Sequence, residues 1–344
     1  MKDVTENSFE SIDILVAVAG KYLSEIFPPS LKQELNALGR VHYWDFLTGK
    51  GLDRELDRRL RETQAEILVT CWESPRFTAA AQRHNSSLKY LCHLAGSLRG
   101  YVDEEVLHAG ILISNWADAT SRSVAEAALM MILGLLRRCG ETQFEMHMRG
   151  GWKLPKGIEG LFFQRVGLFG FGSVARELTG MLSGFQCKIS AFDDYAGTAD
   201  MERLGVEPLS SLEDLFRLNR IVSIHAADIQ RNHHRIDEKL LGMLEQGAKL
   251  VNTARGGIID SAALVAALKS GVIDAALDVY EEEPLPSDSP LRGLENCLLF
   301  PHQGGPTPDR RIDMGRFGVE NIRHYLRGEK VKGIVDYPRF QTMT

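Results

Sequence analysis

The run VGLFGFGSVARELTG, residues 166–180, decides the fold. It opens as a short apolar strand and closes with the spacing of an amphipathic helix. Between the two, Gly170 provides the tight turn, Gly172 lets backbone amides come close to a pyrophosphate, and Ala175 stands where a small residue lets helix and strand pack closely. The helix start adds partial positive charge, so Gly170, Gly172, Ser173 and Val174 are candidate contacts for a dinucleotide. A strand-to-helix turn needs glycine for its own sake, and the loop therefore calls for a second signal. The next apolar run, KISAF (188–192), supplies one by ending at Asp193 and Asp194, where a carboxylate accepts hydrogen bonds from a ribose diol. Two negative charges repel the additional phosphate of NADP, and no arginine follows at once to receive it. The expected cofactor is NAD, with NADH preferred over NADPH; Asp193 takes the ribose, and Asp194 is either a second such group or a solvated turn residue.

Outward from this unit the pattern repeats. Apolar runs at 12–18, 66–70, 89–94 and 111–114 precede it, and IVSI, KLVN, IDAAL and CLLF follow it. Helix-length amphipathic stretches separate most of them, such as DSAALVAALKSG, where Asp260 or Ser261 can cap the helix. Strand and helix in alternation predict an α/β protein with parallel sheets. In such a sheet the carboxyl ends of the strands lie along one edge, where ligands bind. The residues that follow the later strands are Asp193, His225, Arg255, Asp278 and His302, so that edge collects ionisable chemistry. Arg255, in VNTARGG, can hold a carboxylate with two parallel hydrogen bonds, and the two glycines after it let backbone approach a ligand. His302, in PHQGG, can give and take a proton near neutral pH, and DVYEEEP upstream offers carboxylates to hold the ring and favour its protonated form. Glu281 and Glu282 are expected in solvent. His233 and His234 have no further ligands at metal-site spacing and read as solvated or cofactor-flanking side chains, so no metal is expected.

A chain of 344 residues is long for one hydrophobic core, which predicts two domains. Hydrophobic residues at 44% and charged residues at 25% are ordinary for a globular protein, and the net charge of −6 is scattered, which argues against nucleic acid as a partner. No apolar run approaches membrane-spanning length, and the acidic start reads as a polar tail, not a secretion signal. The five cysteines are far apart and are expected to be reduced, mostly buried thiols in a cytoplasmic protein. One helix stands out: SRSVAEAALMMILGLLRRC, 121–139, is apolar on most sides and must be covered nearly all round, as an interdomain helix or a subunit contact.

From about residue 88 to 327 the motifs, in order and spacing, resemble those of the D-isomer-specific 2-hydroxyacid dehydrogenases: the glycine loop, FDDY, VNTARGG, LDVYEEEP and PHQGG. The resemblance implies two Rossmann-like domains, with the nucleotide domain inserted into the substrate domain and the active site in the intervening cleft. It sets a discontinuous substrate domain at 1–112 and 307–344 and an NAD domain at 113–306 that includes helix 121–139, here resembling a dimer helix. Arg255 is then the substrate-binding arginine, His302 the acid and base, and Glu283 its partner. Thr253, Ala254, Asp278, Gly304 and Gly305 join the cofactor contacts, with Asp278 meeting the nicotinamide carboxamide. Backbone amides of Gly96, Ser97 and Leu98, in LAGSLRG, bind the substrate carboxylate. The implied activity is hydride transfer between NAD(H) and a small 2-oxo or 2-hydroxy acid in a homodimer. The alternative is an NAD(H)-sensing, co-repressor-like regulator on the same fold. The sequence departs from the family pattern at Ser173, where arginine is common, at Ala227 for proline, at bulky Trp116, and at Gln303 for an aliphatic residue.

Overall fold

The structure, a computed structural model, describes residues 12–47 and 49–343. The polar tail expected over 1–11 lies outside them. The chain forms two compact units, one from its two ends, up to Thr120 and from Pro306, the other from Ser121 to Gly305.

The first unit is a parallel sheet in the order β2-β1-β3-β4-β5, built from β1 (Asp13–Ala17), β2 (Arg40–Trp44), β3 (Ile67–Thr70), β4 (Tyr90–His93) and β5 (Leu112–Ser114). β3 and β4 are buried at every position, as a sheet covered on both faces requires. The expected strands form, and β2 is added to them. It lies at the sheet edge with Arg40 exposed and Val41, His42 and Tyr43 half-buried, so it lacks the apolar run that marks an inner strand. β5 pairs with β4 through Leu91 and Ile113, so the expected boundary at 112/113 cuts a strand of this sheet, and residues 113–120 stay with the first unit. The C-terminal helix Ile312–Leu326 returns to the same unit. A Cβ on Gly315 would lie 2.0 Å from the Ile26 carbonyl oxygen, so the helix packs there backbone to backbone. Tyr325 donates a hydrogen bond to Glu66 at 2.8 Å, and the Asn321 amide ties Lys332 through both its carbonyl and its N–H.

The second unit is a parallel sheet in the order β12-β11-β10-β9-β6-β7-β8. Its strands are β6 (Arg165–Phe169), β7 (Lys188–Phe192), β8 (Glu207–Pro208), β9 (Ile221–Ile224), β10 (Ala248–Asn252), β11 (Ile273–Leu277) and β12 (Cys297–Leu299). β6 pairs with β7 on one side and β9 on the other, so the strand order reverses there and opens a crevice at the carboxyl edge. β8, two residues long at the far edge, escaped the sequence reading for want of any apolar run. Asp260 caps the helix Ser261–Lys269, accepting a hydrogen bond from the amide of Ala263.

The long apolar helix is shorter than expected. It runs Ser121–Leu136; Arg138 adopts a left-handed conformation, and a second helix starts at Cys139. Ala125, Ala128, Met131, Ile132, Leu135 and Leu136 are buried, while Met130 is 44% exposed. The chain beyond it keeps large apolar side chains in the open, with Trp152 at 91% and Phe163 at 65% exposure. The cysteines are free and, as expected, mostly buried: Cys71, Cys92 and Cys297 are buried, Cys187 is intermediate and Cys139 is exposed. Among the described residues no helix is long and apolar enough to cross a membrane.

Candidate active site

The carboxyl edge of the second sheet is built by backbone crowding. Gly170 has φ +91°, and a Cβ there would sit 2.5 Å from the Ala226 amide nitrogen, so turn and close approach both exclude a side chain. Above Gly172 the space is open, with nothing within 4 Å of a would-be Cβ. The helix Ser173–Ser183 begins without a side-chain cap, which leaves its first amides available, and Ala175 is fully buried against the sheet. Ser173 spends its hydroxyl on Ser121 at 2.7 Å, tying the glycine loop to the helix Ser121–Leu136. An uncapped helix start over open space fits the pyrophosphate of a dinucleotide.

Asp193 closes the loop from the next strand. One of its oxygens accepts from the Phe171 amide at 2.6 Å, and the other from the amides of Tyr195 and Ala196 at 2.7 and 2.9 Å. Lone pairs remain for a diol. Asp194 is not a solvated turn residue: its side chain is 8% exposed and pairs with Arg231 at 2.9 Å and with Arg235. Those arginines arrive from the loop after β9, which the local sequence around FDDY could not reveal.

After β10, Asn252 organises the turn that carries Arg255. Its oxygen accepts from the Ala254 amide at 3.0 Å, and its amide group donates to the Arg255 carbonyl at 2.9 Å. The sequence reading missed Asn252, although its place between strand and TARGG was the available signal. The two glycines here admit protein, not ligand. A Cβ on Gly256 would lie 1.9 Å from the Tyr280 carbonyl carbon, and one on Gly257 would meet His233 and Asp228. The Arg255 guanidinium donates to the Ala254 carbonyl at 2.6 Å. Burial pulls its pKa down, against the pull of Glu283 and Asp228, so two carboxylates lie close enough to oppose desolvation. Thr253, also in this turn, keeps a buried hydroxyl without a partner among the described residues.

His302 follows β12 in a left-handed conformation, φ 53°, and its Nδ1 lies 2.6 Å from a Glu283 oxygen. The second Glu283 oxygen accepts from the Tyr280 amide at 2.9 Å, which fixes the carboxylate. Tyr280 in turn donates its hydroxyl to the carbonyls of Leu277 and Phe300, clamping β11 to β12; it was not singled out from the sequence. Asp278 is 2% exposed and accepts from the amides of Gln303 at 2.8 Å and Gly304 at 2.7 Å. Burial pushes its carboxyl up, and those two amides pull it back. A Cβ on Gly304 would stand 2.7 Å from that carboxylate, whereas Gly305 has open space. Glu281 is exposed, as expected, and pairs there with His234, whose ring stacks on His233 at 4.1 Å. His225, after β9, has a ring Nε2 shut from solvent with no hydrogen-bond partner among the described residues, and burial lowers its pKa to about 4.

Gly96, Ser97 and Leu98 lie in the first unit, after β4. His93, fully buried, bridges Thr70 at 2.9 Å and the Ser97 carbonyl at 3.0 Å. The Asn115 amide donates to the Gly96 carbonyl at 2.6 Å, and Trp116 packs so closely that a Cβ on Gly96 would be 3.0 Å from the indole nitrogen. Leu98 is buried, so only its backbone can meet a ligand.

Residues 129–304 match the family model described as D-isomer specific 2-hydroxyacid dehydrogenase, NAD binding domain. The chain is 31% identical over 321 residues to a glyoxylate reductase of Aeropyrum pernix, covering 91% of this chain and 94% of that one. It is 34% identical over 238 residues to a D-3-phosphoglycerate dehydrogenase of Methanocaldococcus jannaschii, covering 68% of this chain and 45% of that protein's length. The solved structure of D-2-hydroxyisocaproate dehydrogenase superposes with a TM-score of 0.81 at 25% identity, covering 94% of this chain and 99% of that one.

Proposed function

The chain belongs to the D-isomer specific 2-hydroxyacid dehydrogenases, a family of NAD-dependent oxidoreductases, and on that premise we propose the part each of its residues plays in reducing a small 2-oxo acid. A bound nicotinamide supplies the hydride for the carbonyl carbon. Arg255 holds the substrate carboxylate through parallel N–H donors and polarises the carbonyl oxygen. His302 delivers a proton to that oxygen as it gains charge, and in the reverse direction takes it back. Glu283, fixed by the Tyr280 amide, orients the imidazole through Nδ1 and leaves Nε2 for the substrate. Asp278 holds the His302 loop by the amides of Gln303 and Gly304 and is placed to meet the carboxamide. Thr253 and Ala254, in the Arg255 turn, and Gly305 border the nicotinamide. Gly96, Ser97 and Leu98 add backbone amides for the substrate carboxylate.

The observation that carries this reading is the 2.6 Å pairing of Glu283 with His302, on the sheet edge that also bears Arg255. Asp193, at the ribose position, supports NADH over NADPH. The product is the D-2-hydroxy acid. The partly uncovered helix Ser121–Leu136 and the exposed Trp152 and Phe163 support a homodimer, since single chains rarely leave so much large apolar surface to water.

The test is NADH oxidation with a panel of glyoxylate, hydroxypyruvate and phosphohydroxypyruvate, run beside NADPH. Turnover of one of these acids to the D product is expected. A chain that binds NADH yet reduces none of them would overturn the enzymatic reading and favour the sensing alternative. Sedimentation of wild type against Trp152→Asp tests the dimer, which the charge should disrupt.

A further inference from the structure

We propose that Asp194 sets cofactor choice by acting as a built-in occupant of a 2′-phosphate site: its carboxylate engages two guanidiniums, Arg231 and Arg235, that would otherwise receive NADPH. This deepens the NADH preference proposed above and rests on it.

Asp194 directly follows the carboxylate assigned to the ribose diol, so a phosphate branching from that diol must arrive beside it. Its side chain is 8% exposed, with one oxygen 2.9 Å from Arg231 and the other paired with Arg235. Arg235 is anchored over the carboxyl ends of β6 and β7. Its guanidinium lies 5.4 Å from the Phe169 ring centre and 5.3 Å from that of Phe192. Asn232 accepts from Arg235 at 2.9 Å and donates to the Ala227 carbonyl at 2.8 Å, which pins the loop. Arg231 is 60% exposed and free to turn toward a ligand.

Paired guanidiniums form the usual receptor for a phosphate, and a carboxylate satisfies the same donors. Asp194 engages Arg231 and Arg235 while the neighbouring Asp193 adds a second carboxylate, so two negative charges stand against the two cations. A 2′-phosphate must displace Asp194 from both partners and then stand beside two carboxylates. Without the charge on residue 194, the two cations outnumber the carboxylate of Asp193 and attract the phosphate.

The experiment compares wild type, Asp194→Asn and Asp194→Ser. Calorimetry with AMP and 2′-phospho-AMP reads binding apart from turnover, and fluorescence titration does the same with NADH and NADPH. The variants should bind 2′-phospho-AMP and NADPH about tenfold tighter or more, while AMP and NADH change less than about threefold. Adding Arg231→Ala to Asp194→Asn should erase the gain. Asp194→Asn keeps an acceptor for Arg235, and melting curves check that each variant is folded. Arg231→Ala alone, at an exposed position, should weaken 2′-phospho-AMP and spare AMP. A folded Asp194→Asn with unchanged affinity for 2′-phospho-AMP overturns the proposal, as does a gain that survives loss of Arg231. A wild type that binds NADPH as tightly as NADH instead overturns the preference itself, so the two failures are distinct.

Discussion

The two parallel sheets end in different chemistry. The seven-stranded sheet brings Asp193, Arg255, Asp278, Glu283 and His302 to its carboxyl edge, each carboxylate tied down by backbone amides. The five-stranded sheet ends in a loop, Gly96 to Leu98, held by neutral groups: His93, Asn115 and Trp116. On the proposed reading, one edge supplies charge and a proton and the other only oriented backbone. A buried neutral scaffold suits that second task, because amides need placing but no charge compensation. The difference teaches that a shared architecture fixes where a site forms, while the polar residues just beyond the strands decide what it can do.

The sharpest way to break this contrast is His302→Ala. Loss of a positioned proton donor should lower kcat about 10²- to 10⁴-fold, with the NADH dissociation constant unchanged. Equal loss of both in a folded protein would show that the charged edge serves binding, not chemistry. Glu283→Gln keeps the shape and removes the charge, and kcat should fall about ten- to a hundredfold with NADH affinity again preserved.

The neutral edge should respond in KM. His93→Ala removes the bond to the Ser97 carbonyl, so KM for the oxo acid should rise about tenfold while NADH binding stays the same. A fall in kcat alone would deny the loop its role in holding substrate.

Acid tests both units at once, because each holds one histidine whose ring burial lowers its pKa from 6.5 to about 4. Burial keeps both rings neutral in the fold, whereas the unfolded chain takes up protons at the ordinary value. Their contribution is therefore complete above 6.5 and is lost as pH drops toward 4, on the order of 3 kcal/mol for each ring. Melting temperatures of His93→Gln and His225→Gln between those limits should each show a flatter acid slope than wild type. The partnered His93 should cost stability at neutral pH when replaced, and the unpartnered Nε2 of His225 little. An unchanged slope in either variant would mean its ring does not control that unit's acid response.

Much of this was legible in the sequence. Inner strands announce themselves because both faces are buried, and the glycine loop, Asp193, Arg255 and His302 follow from strand ends. Edge strands β2 and β8 were hidden because a half-solvated edge needs no apolar run. The break at Arg138 was hidden because a left-handed arginine has no compositional mark. The burial of Asp194 was hidden because its partners, Arg231 and Arg235, lie in the loop after β9. His93 acts through a backbone carbonyl that no motif spells out, and Asn252, although inside VNTARGG, shows its role only in the turn it ties.

The return of the helix Ile312–Leu326 to the first unit, where it packs on β4, has a consequence for biosynthesis. The unit that begins the chain cannot bury its apolar surface until this late helix has left the ribosome, whereas the Ser121–Gly305 unit is contiguous and can fold as it emerges. During translation the early strands stay open on one flank until residues 312–326 have emerged. That interval is when the nascent protein most needs a chaperone.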